Sequence, residues 1–536
     1  MTGIAGAIAL SLLPITGQGL PSLAVIAATD DATRATVMTT DEVPEMAQLP
    51  DILFDIIPPE IIPDSEFITQ ISELVGTVSD RQGQYAVLTA GVLANPDPNI
   101  SRWLTALELS PFQDVEINGL ELGTFAQQLA ATVEQRDATM VAIARQAEQE
   151  AMAYAAVNYE NLPDLRQAGP LAVQMQTLSV RDMDQDTAEN TDTTEENAVT
   201  VDAYFPEALM MGGLTGIAPD PAPVILISHG VGGKGQHFAD LAQHLASYGF
   251  VVVVPDHESL ARNGEEPPTS SLDSLRDQFF GVMNPVELVK RPLTLSAILD
   301  EMERLNESHP MIQGRLDLEN VGVIGHSLGG YTGLAMVTGE INRRQLKRTC
   351  NNDERLSLNL SLLLQCQARA LPSRLPSLYD DRIKAVMAIN PVGSTILGES
   401  QIEDIEVPVM VVAGSHDAIA PILSEQLPLF SWLKQDKYLV TLVPGGHAAM
   451  NAMGTNTAPI DGNRPTHSDI VNQIITGPLD PQGGQIAKAL SVAFMATHLS
   501  YPVADSTPTE AYLNAAYGQF LSEGPFDLHL ITDWEE

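Results

Sequence analysis

Short apolar runs alternate with helical stretches along the chain beyond Pro170. Six runs have the length and the β-branched content of buried strands, at residues 224–228, 250–254, 321–324, 383–389, 407–413 and 438–443. Helical patterns lie between or after them, at residues 236–248, 292–305, 328–339, 421–434 and 485–499. Strands that alternate with helices in this way indicate a mostly parallel sheet covered by helices on both faces.

Two further strands precede the first buried run. Residues 171–180 and 198–205 alternate apolar and polar positions, which is the pattern of half-buried strands. The stretch between them, 181–197, carries seven acidic residues among Thr and Asn. We therefore predict a long hairpin loop there rather than a domain linker, and an α/β fold whose sheet has eight strands.

The pattern before residue 165 is helical. Ser65 is a candidate N-cap for a first helix, residues 84–94 form a second, and residues 122–154 form a long helix rich in Ala, Gln and Glu. No cluster of residues here suggests catalysis. The predicted units are a helical domain of unknown function at 51–165, an α/β domain at 166–505 and a C-terminal tail at 506–536.

The charge balance is strongly acidic. The 536 residues include 69 Asp and Glu against 27 Lys and Arg, which gives a formal net charge of −42 at pH 7. Such a chain has too little positive charge to displace the counterions of DNA or RNA, and anionic lipid surfaces repel it. We therefore expect no nucleic-acid partner and a strongly hydrated surface.

The amino terminus resembles a secretory signal. An apolar run at 4–13 is followed by small residues up to Ala28, so we predict a signal at 1–28 and a flexible lead-in at 29–50. The usual basic start is missing, because the first positive residue is Arg34, and a misplaced start codon is an alternative. No later uncharged apolar run reaches the ~18 residues of a membrane span. The prediction is an exported protein.

The two cysteines lie in one segment. Cys350 and Cys366 have 15 residues between them, and no other cysteine occurs. In an exported protein a disulfide closing this loop would contribute on the order of 3 kcal/mol, whereas in the cytosol the two would be buried thiols. We expect the disulfide.

A candidate nucleophile follows the strand at 321–324. Gly325, Ser327 and Gly329 form the pattern G-x-S-x-G, between a predicted strand and a predicted helix. Acyl transfer requires a sharp turn of this kind, because the turn lifts the hydroxyl clear of the sheet and points a helix N-terminus at the developing negative charge. The alternative is a Gly-rich turn with a capping serine.

A candidate oxyanion hole lies in Ile227-Ser-His-Gly-Val-Gly-Gly233. Two backbone amides must face the tetrahedral oxygen, and we expect them from Leu328, after the nucleophile, and from Val231 in this loop. His229 is expected to hold the turn rather than to act as a base. The loop does not bind phosphate as a P-loop does, because no Lys and Ser/Thr pair follows at the required spacing.

The candidate acid and base follow the next strands. Asp417 comes after the strand at 407–413 and His447 after the strand at 438–443. Strand ends at the same edge of a parallel sheet converge, so we expect both residues near Ser327. The weaker rivals are His416, His467 and Asp404, and Asp417 has the alternative of a turn-capping acid. No metal is expected, since the eleven histidines include no H-x-x-x-H pair.

An insert at 341–381 separates the nucleophile helix from the strand at 383–389. It contains both cysteines and a run of leucines between Leu356 and Leu364. We predict a cap that the disulfide fastens and that supplies an apolar acyl or alcohol pocket. The alternative is a peripheral helix with its own small core.

The motifs ISHGVGG, VGVIGHSLGG, VPVMVVAGSHDAIAP and LVPGGH resemble those of α/β-hydrolases related to dienelactone hydrolases and platelet-activating-factor acetylhydrolases. The resemblance covers residues 170–500, and GQYAVLTAGVLANPDP resembles an N-terminal domain of unknown function on predicted bacterial hydrolases. It implies the α/β-hydrolase fold and ester hydrolysis by Ser327, His447 and Asp417. Dienelactone hydrolases use cysteine where this chain has Ser327, so a lactone substrate is not expected, and the phospholipid substrate of the acetylhydrolases is not carried over.

The predicted function is a serine esterase or lipase-like enzyme. It would act on a small-molecule or lipid-like ester through a covalent acyl-enzyme, without a cofactor. An acyltransferase or a peptidase with the same three residues is an alternative, and so is a non-catalytic binding protein with a vestigial site.

Overall fold

The computed structural model of the protein describes residues 81–96, 100–108, 116–117, 120–181, 198–210, 220–257, 284–350, 358–450, 481–501, 509–522 and 526–534. The predicted signal, the lead-in and the helix beginning at Ser65 lie outside these residues, as does the hairpin loop after Arg181.

One large sheet organises the described chain. Strands β5 to β10 are parallel to one another, whereas β3, β4 and β11 pair antiparallel with their neighbours. The strand order is β11-β10-β9-β8-β7-β5-β6-β4-β3. The strands are β3 (Val173–Arg181), β4 (Ala198–Pro206), β5 (Ala222–Ser228), β6 (Val251–Pro255), β7 (Leu316–His326), β8 (Ile383–Ile389), β9 (Val409–Gly414), β10 (Lys437–Val443) and β11 (Asp527–Ile531), and a separate hairpin joins β1 (Glu116–Ile117) to β2 (Leu120–Glu121).

Helices cover both faces of the sheet. The α-helices are α1 (Arg81–Ala94), α2 (Ile100–Glu108), α3 (Leu122–Ala151), α4 (Ala239–Ser247), α5 (Glu287–Ser308), α6 (Leu328–Thr338), α7 (Arg343–Thr349), α8 (Ser361–Gln365), α9 (Ser394–Leu397), α10 (Glu399–Ile402), α11 (Gln426–Trp432), α12 (Pro481–His498) and α13 (Ala515–Leu521). Short 3-10 helices occur at Met152–Tyr154, Tyr159–Asn161, Gly235–Phe238, Cys366–Ala370 and Thr509–Tyr512.

The sheet has nine described strands, so the prediction of eight was wrong. The additional strand, β11, lies in the segment predicted to be a tail and pairs antiparallel with β10, with Leu439 opposite Ile531. Within this five-residue strand, Leu528 and Leu530 alternate with the polar residues Asp527 and His529. Two repeats of an apolar and a polar residue are too few to be recognised as a strand from the sequence.

The helical segment before the sheet shares the sheet's core. Met140, Ile143 and Ala147 of α3 belong to the same buried cluster as Val411 and Leu439 of the central strands. The Glu150 carboxylate, near the end of this helix, accepts hydrogen bonds from the amide and the hydroxyl of Thr532. The last long helix of the predicted helical domain therefore packs against the α/β unit, and the domain boundary near 165 stays a prediction.

Cys350 and Cys366 form a disulfide, with Cα atoms 5.5 Å apart, which confirms the predicted pairing. Within the described ranges, no helix combines the length and the hydrophobicity needed to cross a bilayer.

Candidate active site

Ser327 occupies a sharp turn between strand β7 and helix α6. Its φ of 55° is one of the few positive values outside glycine in the described chain, and such a conformation is strained for a residue with a Cβ. A Cβ at Gly325 would overlap the carbonyl group of Gly329, and a Cβ at Gly329 would overlap the carbonyl group of Ser228. The two glycines of the motif are therefore required by close backbone approach.

The backbone around Ser327 is anchored to the neighbouring strand. Its amide donates to the carbonyl of Ile389, the last residue of β8, at 2.9 Å, and its carbonyl accepts from the Val392 amide at 3.4 Å. Helix α6 begins at the next residue, Leu328, so the positive end of its dipole faces the hydroxyl. The predicted nucleophile thus lies where a developing oxyanion would be stabilised.

His447 and Asp417 are brought together as predicted. The Nδ1–H group of His447 donates to the Asp417 Oδ2 atom at 2.8 Å, and Asp417 is 2% exposed. This bond fixes the imidazole tautomer and leaves Nε2 as the nitrogen that can accept a proton.

The second carboxylate oxygen of Asp417 caps a turn. Its Oδ1 atom accepts hydrogen bonds from the amides of Ile419 and Ala420, at 2.9 and 2.8 Å. The turn-capping alternative from the sequence is therefore correct for one oxygen, while the other oxygen binds the histidine. The two roles are compatible because the amides hold the carboxylate in the orientation that the imidazole needs.

Two side chains fix the backbone of His447 relative to Ser327. The Nε2–H group of His326, the residue before the serine, donates to the His447 carbonyl at 2.7 Å, and the two rings lie 4.9 Å apart. Asn390 donates to the same carbonyl at 2.6 Å. Burial, followed by the neighbouring His447, lowers the pKa of His326 to about 3, so this ring stays neutral.

Asn390 connects the ends of three strands. It follows β8 directly, has a φ of 43°, and its Oδ1 atom accepts from the Gly414 amide at the end of β9, at 2.8 Å. Its Nδ2 group also reaches the Gly446 carbonyl, beyond β10, at 3.2 Å. One side chain therefore sets the spacing between the strand that leads to Asp417 and the strand that leads to His447.

The predicted oxyanion loop lies against Ser327. A Cβ added at Gly230 would lie 3.2 Å from the Cβ atom of Ser327, which shows how close the loop backbone comes to the nucleophile. In the part of the chain that the structure describes, no hydrogen bond joins the amide of Val231 or Leu328 to a protein acceptor. Both amides therefore stay candidates for the oxyanion hole, which remains a prediction.

His229 holds the oxyanion loop, as the sequence predicted. Its Nδ1–H group donates to the Gly230 carbonyl at 2.8 Å, and its Nε2 atom accepts from the His257 amide at 3.0 Å. The Arg291 guanidinium donates to the His229 carbonyl at 2.6 Å. Burial and then Arg291 lower the pKa of His229 to about 3, so the ring is neutral near pH 7.

The rival residues lie elsewhere. His416 is half-buried and hydrogen bonded to the Ser415 hydroxyl at 2.7 Å, and desolvation lowers its pKa to about 3. Asp404 is exposed and precedes β9, at the opposite edge of the sheet. His467 lies outside the described residues.

The insert at 341–381 packs against the segment that follows Asp417 and binds a buried carboxylate there, Glu425. Glu425, which is fully buried, accepts five hydrogen bonds of 2.6–3.0 Å and has no cation beside it among the described residues. The donors are the side chains of Asn359, Ser361 and Gln365 and the backbone amides of Gly393 and Ser394. The Ser361 amide also donates to the Ile419 carbonyl, at 2.9 Å.

The leucines of the insert do not all face a pocket. Leu362 and Leu364 are buried in the core cluster on one face of the sheet, together with both cysteines. The apolar side of the insert therefore lies in the main core rather than in a core of its own. Ser361 of the insert contacts the turn that follows Asp417, at Ile419. Its function as a cap stays a prediction.

Sequence reasoning missed three groups that shape the site. Asn390 could have been noticed, because a polar residue directly after a buried strand lies at the same edge as the nucleophile. Arg291 and Glu425 gave no such signal, since each lies in or beside a predicted helix rather than directly after a strand. No cluster of three or more potential metal ligands occurs among the described residues.

The sharp turn between β7 and α6 and the order of the mostly parallel sheet define the α/β-hydrolase fold. Residues 223–338, from strand β5 through helix α6, match a family model described as the alpha/beta hydrolase fold. The match includes the elbow at Ser327 and supports a hydrolase of this fold. The match identifies the fold only and does not distinguish dienelactone hydrolases or acetylhydrolases from other members.

Proposed function

We propose that the protein is a serine hydrolase of carboxylic esters, with Ser327 as nucleophile, His447 as general base and Asp417 as the acid that orients it. The observation that carries the proposal is the 2.8 Å bond from His447 Nδ1 to the buried Asp417 carboxylate, beside the strained turn of Ser327. A serine hydroxyl is a poor nucleophile unless such a base removes its proton.

The first step acylates the serine. His447 Nε2 takes the hydroxyl proton while the Ser327 oxygen attacks the ester carbonyl, and the tetrahedral oxyanion is held by the amides of Val231 and Leu328. The imidazolium then gives its proton to the alcohol oxygen, the carbon–oxygen bond of the ester breaks, and the alcohol leaves.

The second step repeats the sequence with water. His447 removes a proton from water, the resulting oxygen attacks the acyl carbonyl, and the bond to Ser327 breaks as the proton returns to its hydroxyl. The carboxylic acid leaves and the enzyme is restored. All protons pass through one imidazole, so the reaction requires no cofactor in this scheme.

The proposed site of action is outside the cytoplasm. The Cys350–Cys366 disulfide is compatible with export, because such bonds persist in oxidising compartments. The signal-like sequence at 1–28 supports the same inference.

The test is hydrolysis of p-nitrophenyl esters of increasing acyl length by the wild-type chain and by Ser327→Ala. We expect turnover of at least one ester by the wild type and a loss of roughly 10⁴-fold or more in the variant. Absence of Ser327-dependent turnover on every ester would favour a binding protein and contradict the proposal.

Two additional substrates separate the enzymatic alternatives. A p-nitroanilide of the same acyl group reports on peptidase chemistry, and comparable rates on amide and ester would favour a peptidase. Adding an alcohol acceptor and measuring the new ester reports on acyl transfer. An esterase cleaves the anilide much more slowly than the ester. With the alcohol present, it still releases free acid as the main product.

A further inference from the structure

A second group of polar residues lies at the far end of helix α6. A cavity of about 800 Å³ is lined there by the residues after the helix, by residues 373–378 and by the start of α7. Helix α6 has eleven residues, so this cavity lies about 16 Å along the helix from Ser327. It is separate from the proposed ester site.

Three arginines line this cavity. Arg343 donates from its guanidinium to the carbonyls of Leu371 and Pro372, which fixes it in the wall, while Arg344 and Arg374 are exposed. Glu340 is the one carboxylate among the lining residues, and it forms no ion pair with them within the described chain.

The cluster is unusual for so acidic a chain. The insert at 341–381 contains seven Lys and Arg against four Asp and Glu, whereas the whole chain contains 27 against 69. Five arginines outside the insert or at its end pair with carboxylates, namely Arg136, Arg166, Arg291, Arg304 and Arg382, whereas Arg145 and Arg315 form no ion pair within the described chain. Among the described residues, no carboxylate lies within ion-pair distance of Arg343, Arg344 or Arg374. The insert thus places three guanidinium groups around a cavity, without an ion-pair partner among the residues that the structure describes.

We infer that this cavity binds a small molecule carrying two or more anionic oxyacid groups, such as phosphate, sulfate or carboxylate. A guanidinium presents a planar set of donors that matches the paired oxygens of these groups. Two or more anionic groups suit the cavity, because each can contact a separate guanidinium. These contacts are short-ranged, whereas salt screens the repulsion from the net charge of −42 over about 10 Å. The volume suits a small molecule rather than a flat macromolecular surface.

Calorimetric titration of the full chain with pyrophosphate, and separately with citrate, at constant ionic strength tests this inference. We expect one binding site per chain and a rise in melting temperature with ligand concentration. Arg344→Glu and Arg374→Glu should each weaken binding at least about tenfold, which corresponds to the loss of one charged hydrogen bond. Both side chains are exposed, so neither change threatens folding.

Arg145→Glu is the matched control. Arg145 is exposed on α3 and changes the net charge by the same amount, so it should leave binding within about twofold of the wild type. Ser327→Ala should also bind normally, which separates this inference from the proposed activity. Equal weakening by Arg145→Glu, no binding of either ligand at millimolar concentration, or binding to phosphatidylglycerol vesicles alone would overturn the inference.

Discussion

The two ends of helix α6 show two ways of holding polar groups. At its N-terminus, Ser327, His447 and Asp417 are buried, and neighbouring backbone and side chains fix their positions. At its C-terminus, Arg344 and Arg374 are exposed around an open cavity. Proton transfer requires geometry set before the substrate arrives, whereas capture of an anion depends mainly on charge. Variants should therefore have different consequences at the two ends.

The largest effect is expected from the orienting acid. Asp417→Asn keeps an oxygen for the amides of Ile419 and Ala420 but no longer fixes the His447 tautomer, so kcat for a p-nitrophenyl ester should fall about 10⁴-fold. Thermal unfolding of the same variant should change little. A variant that retains kcat would mean that Asp417 is only a turn cap.

A smaller effect is expected at Asn390. Asn390→Gly tolerates the positive φ but removes the contacts with Gly414 and His447, so kcat should fall about 10- to 100-fold as the base shifts. Steady-state kinetics should show the loss in kcat rather than in KM. Ser500→Gly, at a similar positive φ after α12, is the control and should be fully active. Equal kinetics for the two variants would remove Asn390 from the positioning of the site.

Asp417 and Asn390 also show how much of the candidate site can be predicted from the sequence. The strands β5 to β10 and the order serine, acid, histidine could be predicted, because long apolar runs and glycine-dependent turns leave a local pattern. The ninth strand was missed because five residues are too short a run to reveal an alternation of apolar and polar positions. Asn390 and Glu425 act through contacts with residues far along the chain, and no spacing within one segment encodes such contacts.

Acid should lower the free energy of unfolding of the protein. Buried or half-buried histidines lie near the candidate site, and desolvation lowers their pKa values; the affected residues are His229, His257, His326 and the half-buried His416. Each folded pKa lies below the value of 6.5 in an unfolded chain, so the unfolded state binds more protons as the pH falls. The free energy of unfolding is unaffected above pH 6.5 and should decrease between pH 6.5 and about 3.

One histidine away from the site allows this to be measured. Burial lowers the pKa of His244, on α4, to about 4, and His244→Gln keeps a donor for the Leu165 carbonyl. Urea unfolding between pH 7 and 4 should show a slope smaller by up to about 1.4 kcal/mol per pH unit in the variant. Identical slopes for both proteins would contradict protonation of the unfolded chain as the cause.

The smallest effect on catalysis is expected at the arginine end. Arg344→Glu should leave kcat/KM for a neutral p-nitrophenyl ester within about twofold of the wild type, because the side chain lies at the opposite end of α6 and a neutral substrate is not steered by charge. Initial rates at matched ionic strength are sufficient. A large loss would mean that the two ends are coupled.

The most direct measurement is the reaction of the full chain with a fluorophosphonate, followed by peptide mass mapping of the label. The account predicts one label per chain, on Ser327, formed rapidly by the wild type and much more slowly by Asp417→Asn, since a positioned His447 must remove the hydroxyl proton. A label on another residue, or an unreactive Ser327 in a folded wild-type chain, would contradict it.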